Sequence, residues 1–477
     1  MPLWVALIPV GVLLLSIITL IILEGAIAVN EWSAIILLVA AFVSCAISII
    51  GYHRPLKVIW MGIVKSVRQI LPSFPVLLLI GAVSATWMLS GTVPLFIDYG
   101  LKILSPDLFL FITCVTCSVI SVFTGSSWTT IATIGVAFMG IGTVMGYSAG
   151  WVAGAIISGA YFGDKVSPLS DTTVLASSSV GVRLFTHIRY LMITAVPAMG
   201  IALIIFACVG LFSNFTEAEN AREIETTLEA TFNLTPWLLV IPAITVAAIL
   251  LRFNTNLVLG ISALSGLAAV FVFQPGIVNN FIKAGHTSLS AALTILLTDT
   301  SIATGSELLD PLVSTGGMKG MLPTVELVAA AMIFGGALIG TGMLSVITEA
   351  FTRRLDRTRS IVGATVASGL LLNSCTADQY LSIIIGGNIY RKIYNRNQLE
   401  SKLLSRSLED SVSVTSVLIP WNSCGITQST VLGVSTLTYL PFCFFNFLSP
   451  VMTIIMAWTG YKVRRMKGAK IVTPSLP

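Results

Sequence analysis

Residues Gly154–Ser179 read GAIISGAYFGDKVSPLSDTTVLASSS. The run is apolar enough to cross a bilayer, yet Asp164, Lys165 and Asp171 lie inside it. A charged side chain at bilayer depth costs about 3 kcal/mol on insertion scales, so such residues face a water-filled cavity and handle ions or substrates. Pro168, with Ser167, Ser170, Thr172 and Thr173 around it, breaks the helix where the carboxylates sit. Broken helices at membrane depth are how many carriers build a binding site near the midplane.

Composition supports a membrane setting. Of 477 residues, 55% are hydrophobic and only 10% charged, against about a quarter charged in soluble domains. The net charge of +5 comes from short basic clusters between apolar runs, which read as topology signals and imply no nucleic-acid partner. Seven Cys scattered through apolar segments argue against a disulfide framework; Cys114 and Cys117 form a CxxC inside the apolar run 109–123 and read as packing residues. Ala26-Ile27-Ala28 has the look of a signal-peptidase site. The apolar stretch from Leu3 to Leu23 before it has no Lys or Arg and is too long for a signal core, so it reads as a first transmembrane helix.

Spanning runs fall at about 3–23, 32–51, 71–90, 187–213, 235–251, 255–273, 323–350 and 437–460. The regions 108–181 and 360–434 are apolar but interrupted. The interruptions correspond: residues 81–90, GAVSATWMLS, match 336–345, GALIGTGMLS, at six of ten positions with an offset of 255. Pro168 to Val182 matches Pro420 to Val434 at 252, and Thr124-Gly125-Ser126-Ser127 matches Leu372-Asn373-Ser374-Cys375 at 248. Three matches in order at nearly one offset predict an internal duplication.

Basic residues then orient the halves. His53, Arg54, Lys57, Lys65 and Arg68, Arg183 and Arg189, Arg353, Arg354, Arg357 and Arg359, and the tail Lys462, Arg464, Arg465, Lys467 and Lys470 are expected on the cytoplasmic side. The linker carrying Glu217, Glu219, Glu223, Glu225 and Glu229 against Arg222 suits the outside. On that threading the span from Leu71 runs outward and its partner from Pro323 inward, so the repeats are inverted. Arg391, Lys392, Arg396, Lys402 and Arg406 must also be cytoplasmic, which one apolar segment cannot satisfy unless it is a re-entrant hairpin turning at residues 373–378. The first half does likewise at residues 125–128. The expected fold is an all-α polytopic membrane protein of two inverted-topology repeats, each with about five spans, one of them a broken helix, and one re-entrant hairpin. Its units are a first repeat at 1–213, an acidic extracellular linker at 214–234, a second repeat at 235–460 and a basic cytoplasmic tail at 461–477, with both termini cytoplasmic.

The blocks Phe123–Gly142, Gly154–Ser177 and Ile419–Leu448, the last with PWNSCG and YLPFCFFNFLSP, resemble the NhaC family of bacterial Na+/H+ antiporters, within a wider superfamily of inverted-repeat ion carriers. The likeness covers most of the chain. It implies Na+ for H+ exchange in the bacterial inner membrane; related members exchange malate and lactate against Na+ and H+, which keeps an Na+/H+-coupled organic-acid antiporter as the alternative. One departure is Val174, where the family pattern has Asn after Asp-Thr-Thr.

Na+ is a hard cation that takes oxygen ligands. Two hairpin tips and two broken-helix centres should converge near the midplane. The ligand pool is Ser126, Ser127, Thr129, Asp164, Ser167, Ser170, Asp171, Thr172, Thr173, Asn373, Ser374, Thr376, Asp378, Asn422 and Ser423. Of these, Asp164, Asp171 and Asp378 also carry a proton, with Lys165 as charge partner. A buried carboxyl is favoured neutral by desolvation and ionised by a bound cation, so one Asp holds Na+ or H+ but not both.

Each assignment has a plainer structural alternative. Lys165 can serve only to balance local charge, Asp171 can cap the helix resuming at Thr172, and membrane Ser and Thr commonly bond back to their own backbone. His53, His187 and His286 fall at segment ends, which disfavours a His relay. The GxxxG at Gly336–Gly340 reads as close packing within the bundle. Asp299, Glu307 and Asp310 read as solvated, with Glu326 the exception. No nucleophile–base pair or metal-ligand spacing appears, so neither an enzyme nor a cofactor is expected. Expected partners are Na+, H+, the lipid bilayer and, on the alternative, small organic acids.

Overall fold

The computed structural model describes residues 1–24, 28–212, 219–302, 304, 310, 313–352, 355 and 357–463. The first part of the chain forms α1 Leu3–Glu24, α2 Ala28–Ala46, α3 Leu56–Ile70, α4 Phe74–Leu89, α5 Thr92–Ile103, α6 Phe109–Thr124, α7 Ser127–Thr130, α8 Val136–Val144, α9 Ala149–Val166, α10 Asp171–Ser179 and α11 Leu184–Phe212. Then follow α12 Glu219–Thr231, α13 Val240–Leu250, α14 Thr255–Phe273, α15 Pro275–Lys283, α16 Ser288–Leu297, α17 Leu322–Gly340, α18 Met343–Thr352, α19 Thr358–Thr376, α20 Gln379–Arg396, α21 Ser401–Leu408, α22 Ser423–Leu432, α23 Thr436–Tyr439 and α24 Phe444–Thr459. Among the described residues, eight helical stretches are long and apolar enough to span a bilayer, and ten if two bent pairs each count as one. The protein is thus an all-helical, multi-pass membrane protein. α9–α10 and α21–α22 fall outside that set because their breaks and charges interrupt them.

Glycines set the closest approaches. A Cβ at Gly159 would fall 2.2 Å from the Cys114 carbonyl oxygen, and one at Gly163 would fall 2.3 Å from that of Ser118, so α6 and α9 pack nearly backbone to backbone. Cys114 and Cys117 are free and buried in that seam, as packing residues would be. Gly336 and Gly340 lie against Ile59, Gly62 and Ile63 of α3, so the GxxxG serves packing inside the bundle.

Several expectations change. The run 323–350 is two helices: α17 ends at Gly340, Gly342 takes the left-handed conformation (φ +78°), and α18 starts afresh. Lys57, Lys65 and Arg68 lie on α3, which runs into α4 as one 34-residue helical stretch, Leu56–Leu89. The segment 214–234 holds α12, whose end is fixed by buried Leu228 and by Lys102, which pairs with Asp98, Glu225 and Glu229 at 2.7, 2.9 and 3.3 Å. Glu326 is exposed rather than buried in a span. Arg406, placed by its charge with a cytoplasmic cluster, is fully buried. Ala26-Ile27, Glu217, Glu307, Arg353, Arg354, Arg464, Arg465, Lys467 and Lys470, and the side chains of Ala28, Glu219, Arg222 and Glu223, lie outside the described residues.

Candidate ion-binding site

Two helix–turn–helix tips face the interior. The first joins α6 to α7 through Gly125 (φ +66°) and Ser126, whose extended backbone and Oγ cap α7 by accepting from Thr129 N at 3.2 Å. The second joins α19 to α20 through Ala377 (φ +56°) and Asp378, whose carboxylate caps α20 by accepting from Leu381 N at 2.8 Å. The tips repeat bond for bond. Thr124 Oγ1 contacts Ser126 O (3.2 Å), Ser126 N (3.3 Å) and Thr130 Oγ1 (3.1 Å). Thr376 Oγ1 contacts Asp378 O (3.0 Å), Asp378 N (3.3 Å) and Ser382 Oγ (2.7 Å). The offset is 376 − 124 = 252, so the tip correspondence read at 248 shifts by four residues and joins the register of the two breaks.

Each tip is pinned to a break. Gly125 lies so close to Leu169 that a Cβ there would be 2.6 Å from the Leu169 Cβ, while Ser423 N donates to Ala377 O at 2.8 Å. At the first break Ser170, not Asp171, caps the resuming helix, its Oγ accepting from Thr173 N at 3.4 Å. Asp171 is the first residue of α10 and is exposed. At the second break Asn422 caps α22, accepting from Cys424 N at 3.1 Å. A cap satisfies backbone donors that would otherwise be orphaned, which matters most away from bulk water.

Asp164 occupies the last turn of α9. One of its oxygens accepts from Ser127 N (3.1 Å) and Ser127 Oγ (2.7 Å). Among the described residues it forms no ion pair. It lines a cavity of about 450 Å³ together with Ser126, Thr129, Asp171, Thr172, Gln379 and Tyr380. Pro72, Ser73 and Arg252–Thr255 also line it. That volume is many times the ~10–15 Å³ a single water needs. Two carboxylates, four hydroxyls and a side-chain-capped turn therefore converge on one water-accessible space.

Other expected ligands are placed elsewhere. Asp378 is buried and spent on its cap and on Ser423 Oγ (3.4 Å). Asn373 lies in α19, not at a turn, and donates to Val412 O (2.7 Å) and Thr415 Oγ1 (3.2 Å). Ser374 is one turn from the tip and bonds back to Leu370 O. Ser167 donates to Val122 O and Thr173 to Lys165 O. These hydroxyls hold the scaffold.

Lys165 points away from Asp164. It is fully buried and paired with Asp410, also donating to Ser449 Oγ at 2.6 Å. Asp410 further accepts from Ser449 Oγ (2.8 Å), Thr194 Oγ1 (2.9 Å) and Thr453 Oγ1. Sequence reasoning missed Asp410 and its neighbour Glu409. The signal that would have found them is Lys165 itself, since a lysine in an apolar run demands a buried carboxylate.

A multi-pass helical bundle whose broken helices and capped tips surround a carboxylate-lined cavity defines a secondary active transporter. A family model described as the Na+/H+ antiporter family matches residues 159–461, and the chain belongs to that family. It is 38% identical to the Na+/H+ antiporter NhaC of Alkalihalophilus pseudofirmus, over 88% of this chain and 90% of that protein. It is 35% identical to the malate-2H+/Na+-lactate antiporter of Bacillus subtilis, over 89% of this chain and 88% of that protein. It is also 35% identical to the arginine/ornithine antiporter ArcD of Halobacterium salinarum, over 84% and 81%.

Proposed function

We propose that this protein exchanges Na+ for H+ across the cell membrane, with the two ions competing for Asp164. The observation that carries this reading is an acidic group, without an ion pair among the described residues, lining a polar cavity while the neighbouring lysine is consumed by Asp410. Na+ then has a carboxylate and hydroxyls to bind, and a proton arriving at the same carboxylate displaces it. Asp171 and Tyr380 complete the wall. An organic acid would need a buried cation in the cavity; Arg252 lines it but is exposed, and Lys165 is unavailable, so cation exchange fits better than acid exchange. The duplicated tips and breaks support two inverted halves. By the positive-inside argument Pro72, Ser73 and Arg252 mark the cytoplasmic mouth, which makes this conformation inward-open.

Competition fixes the pH dependence. Protonating the carboxylate removes the ligand's charge, so Na+ affinity weakens as pH falls. For one dominant carboxylate the apparent Kd rises about tenfold per pH unit below the group's titration point, while the maximum number of sites stays constant. Calorimetric Na+ titrations from acid to alkaline pH check this, and an affinity flat across the range would eliminate the shared site.

Sidedness is tested separately. A Cys placed at exposed Asn395 should react with an impermeant thiol reagent only from the cytoplasm, and one at exposed Glu229 only from outside. Labelling of Asn395→Cys from outside would remove the second hairpin from the scheme.

A further inference from the structure

Glu409 opens a π-helical turn, Glu409–Ser413, at the end of α21. Its side chain is fully buried, and among the described residues neither carboxylate oxygen has a hydrogen-bond partner. An isolated ionised carboxylate in that position is among the most costly groups a protein can bury. π turns interrupt helices mostly at functional positions, because the extra residue re-aims side chains.

The unpartnered polar atoms do not stop there. Arg406, one helical turn earlier, is fully buried with Nε, Nη1 and Nη2 all unpartnered, its guanidinium 4.4 Å from the Tyr190 ring centroid. Ser405 Oγ, also on α21, meets His187 Nδ1 at 2.8 Å, and His187 Nε2 is again unpartnered. Ser413, four residues after Glu409, has its Oγ near that carboxylate without closing a hydrogen bond of full geometry. Positions 405, 409 and 413 succeed one another at the spacing that stacks side chains along one helix face, with Arg406 beside them. Buried polar atoms of this kind are met by internal water, and a file of them is a path for protons. The charged groups acting on Glu409 are Lys165, Asp410 and Asp164.

We propose that Glu409 is a second proton-carrying site, separate from the cation cavity and reached along the His187–Ser405–Arg406 face, which gives up its proton when Na+ binds at Asp164. The inference rests on the assignment of Na+ to Asp164. The coupling is electrostatic: where Asp164 is already ionised, bound Na+ adds one positive charge beside Lys165 and ionising Glu409 balances it, whereas a proton displaced directly from Asp164 leaves the charge there unchanged. Glu409 does not line the cation cavity, so its loss removes no ligand and weakens Na+ binding only through the lost coupling.

The test counts protons. Purified protein in weakly buffered detergent is titrated with NaCl while a pH indicator reports release. At a pH alkaline enough that Asp164 is ionised before Na+ binds, wild type is expected to release about one proton per bound Na+ and Glu409→Gln close to none, with Na+ affinity of the variant weakened about tenfold by the reciprocal linkage. Equal release by the two proteins, including none by both, overturns the inference and leaves the Asp164 assignment standing; a Na+ affinity of Glu409→Gln that stays flat from acid to alkaline pH overturns that assignment instead. Should Glu409→Gln fail to fold, infrared difference spectra of wild type labelled with carboxyl-13C glutamate decide the matter. A protonated glutamate band that disappears on adding Na+ supports the site, and an unchanged glutamate band refutes it.

Discussion

Asp164→Asn is expected to reduce Na+-driven proton flux in proteoliposomes to the background of empty vesicles, with the protein still folded. The amide keeps the shape of the side chain and an oxygen to accept from Ser127 N and Oγ, so the tip at Gly125–Ser126 retains its anchor. What it removes is the charge. Deleting one partner of a partly desolvated ion pair costs about 3–5 kcal/mol, which is a loss of Na+ affinity of roughly 100-fold or more. Asparagine also cannot carry the exchanged proton, so cation binding and proton transfer fail together. Exchange close to wild type in a variant that elutes as a single species would refute the assignment. Asp378→Asn should behave differently, because Asp378 serves as the cap of α20 and an Asn cap is nearly as good. Its flux should fall by no more than a few-fold in the same assay.

The contrast between these two aspartates shows what sequence can and cannot reveal. Both stand in polar interruptions of apolar runs, and that pattern located the breaks and tips correctly. It did not separate a carboxylate facing a cavity from one folded back onto a helix N-terminus, since that depends on whether Ser423 and Leu381 lie within reach. The offset of the repeat was legible only to within four residues. Six identities between 81–90 and 336–345 favoured 255, whereas the conformations of Gly125 and Ala377 set the tips at 252. Arg406, Glu409 and Asp410 were misread or missed for a different reason. In the stretch SKLLSRSLEDSVS a Lys, an Arg, a Glu and an Asp within nine residues look like a solvated helix, and nothing local tells that Lys165, far away in sequence, neutralises one of them. The register shared by the tips and breaks gave no help, because Ser158 stands 252 residues before Asp410.

That Lys165–Asp410 pair should dominate the stability of the fold around the first break. Both charges are fully buried, and the carboxylate receives Ser449, Thr194 and Thr453 in addition to the ammonium. Asp410→Ala leaves an ammonium and three hydroxyls without their acceptor. The expected cost is about 3–5 kcal/mol, a large share of the ~5–15 kcal/mol that holds a typical protein folded. Lys165→Met leaves the carboxylate uncompensated except by hydroxyls and should cost a similar amount. Replacing both, Lys165→Met with Asp410→Leu, removes two desolvation penalties along with the attraction, so the double variant should be more stable than either single one. Thermal unfolding of the four proteins in detergent measures the coupling directly. Additive losses in the double variant would mean that the two residues do not form a mutually compensating pair, and the packing of α9 against α24 would need another explanation. A recovered Tm would identify the pair as the fastening that turns Lys165 away from the cavity and leaves Asp164 free to bind its ion.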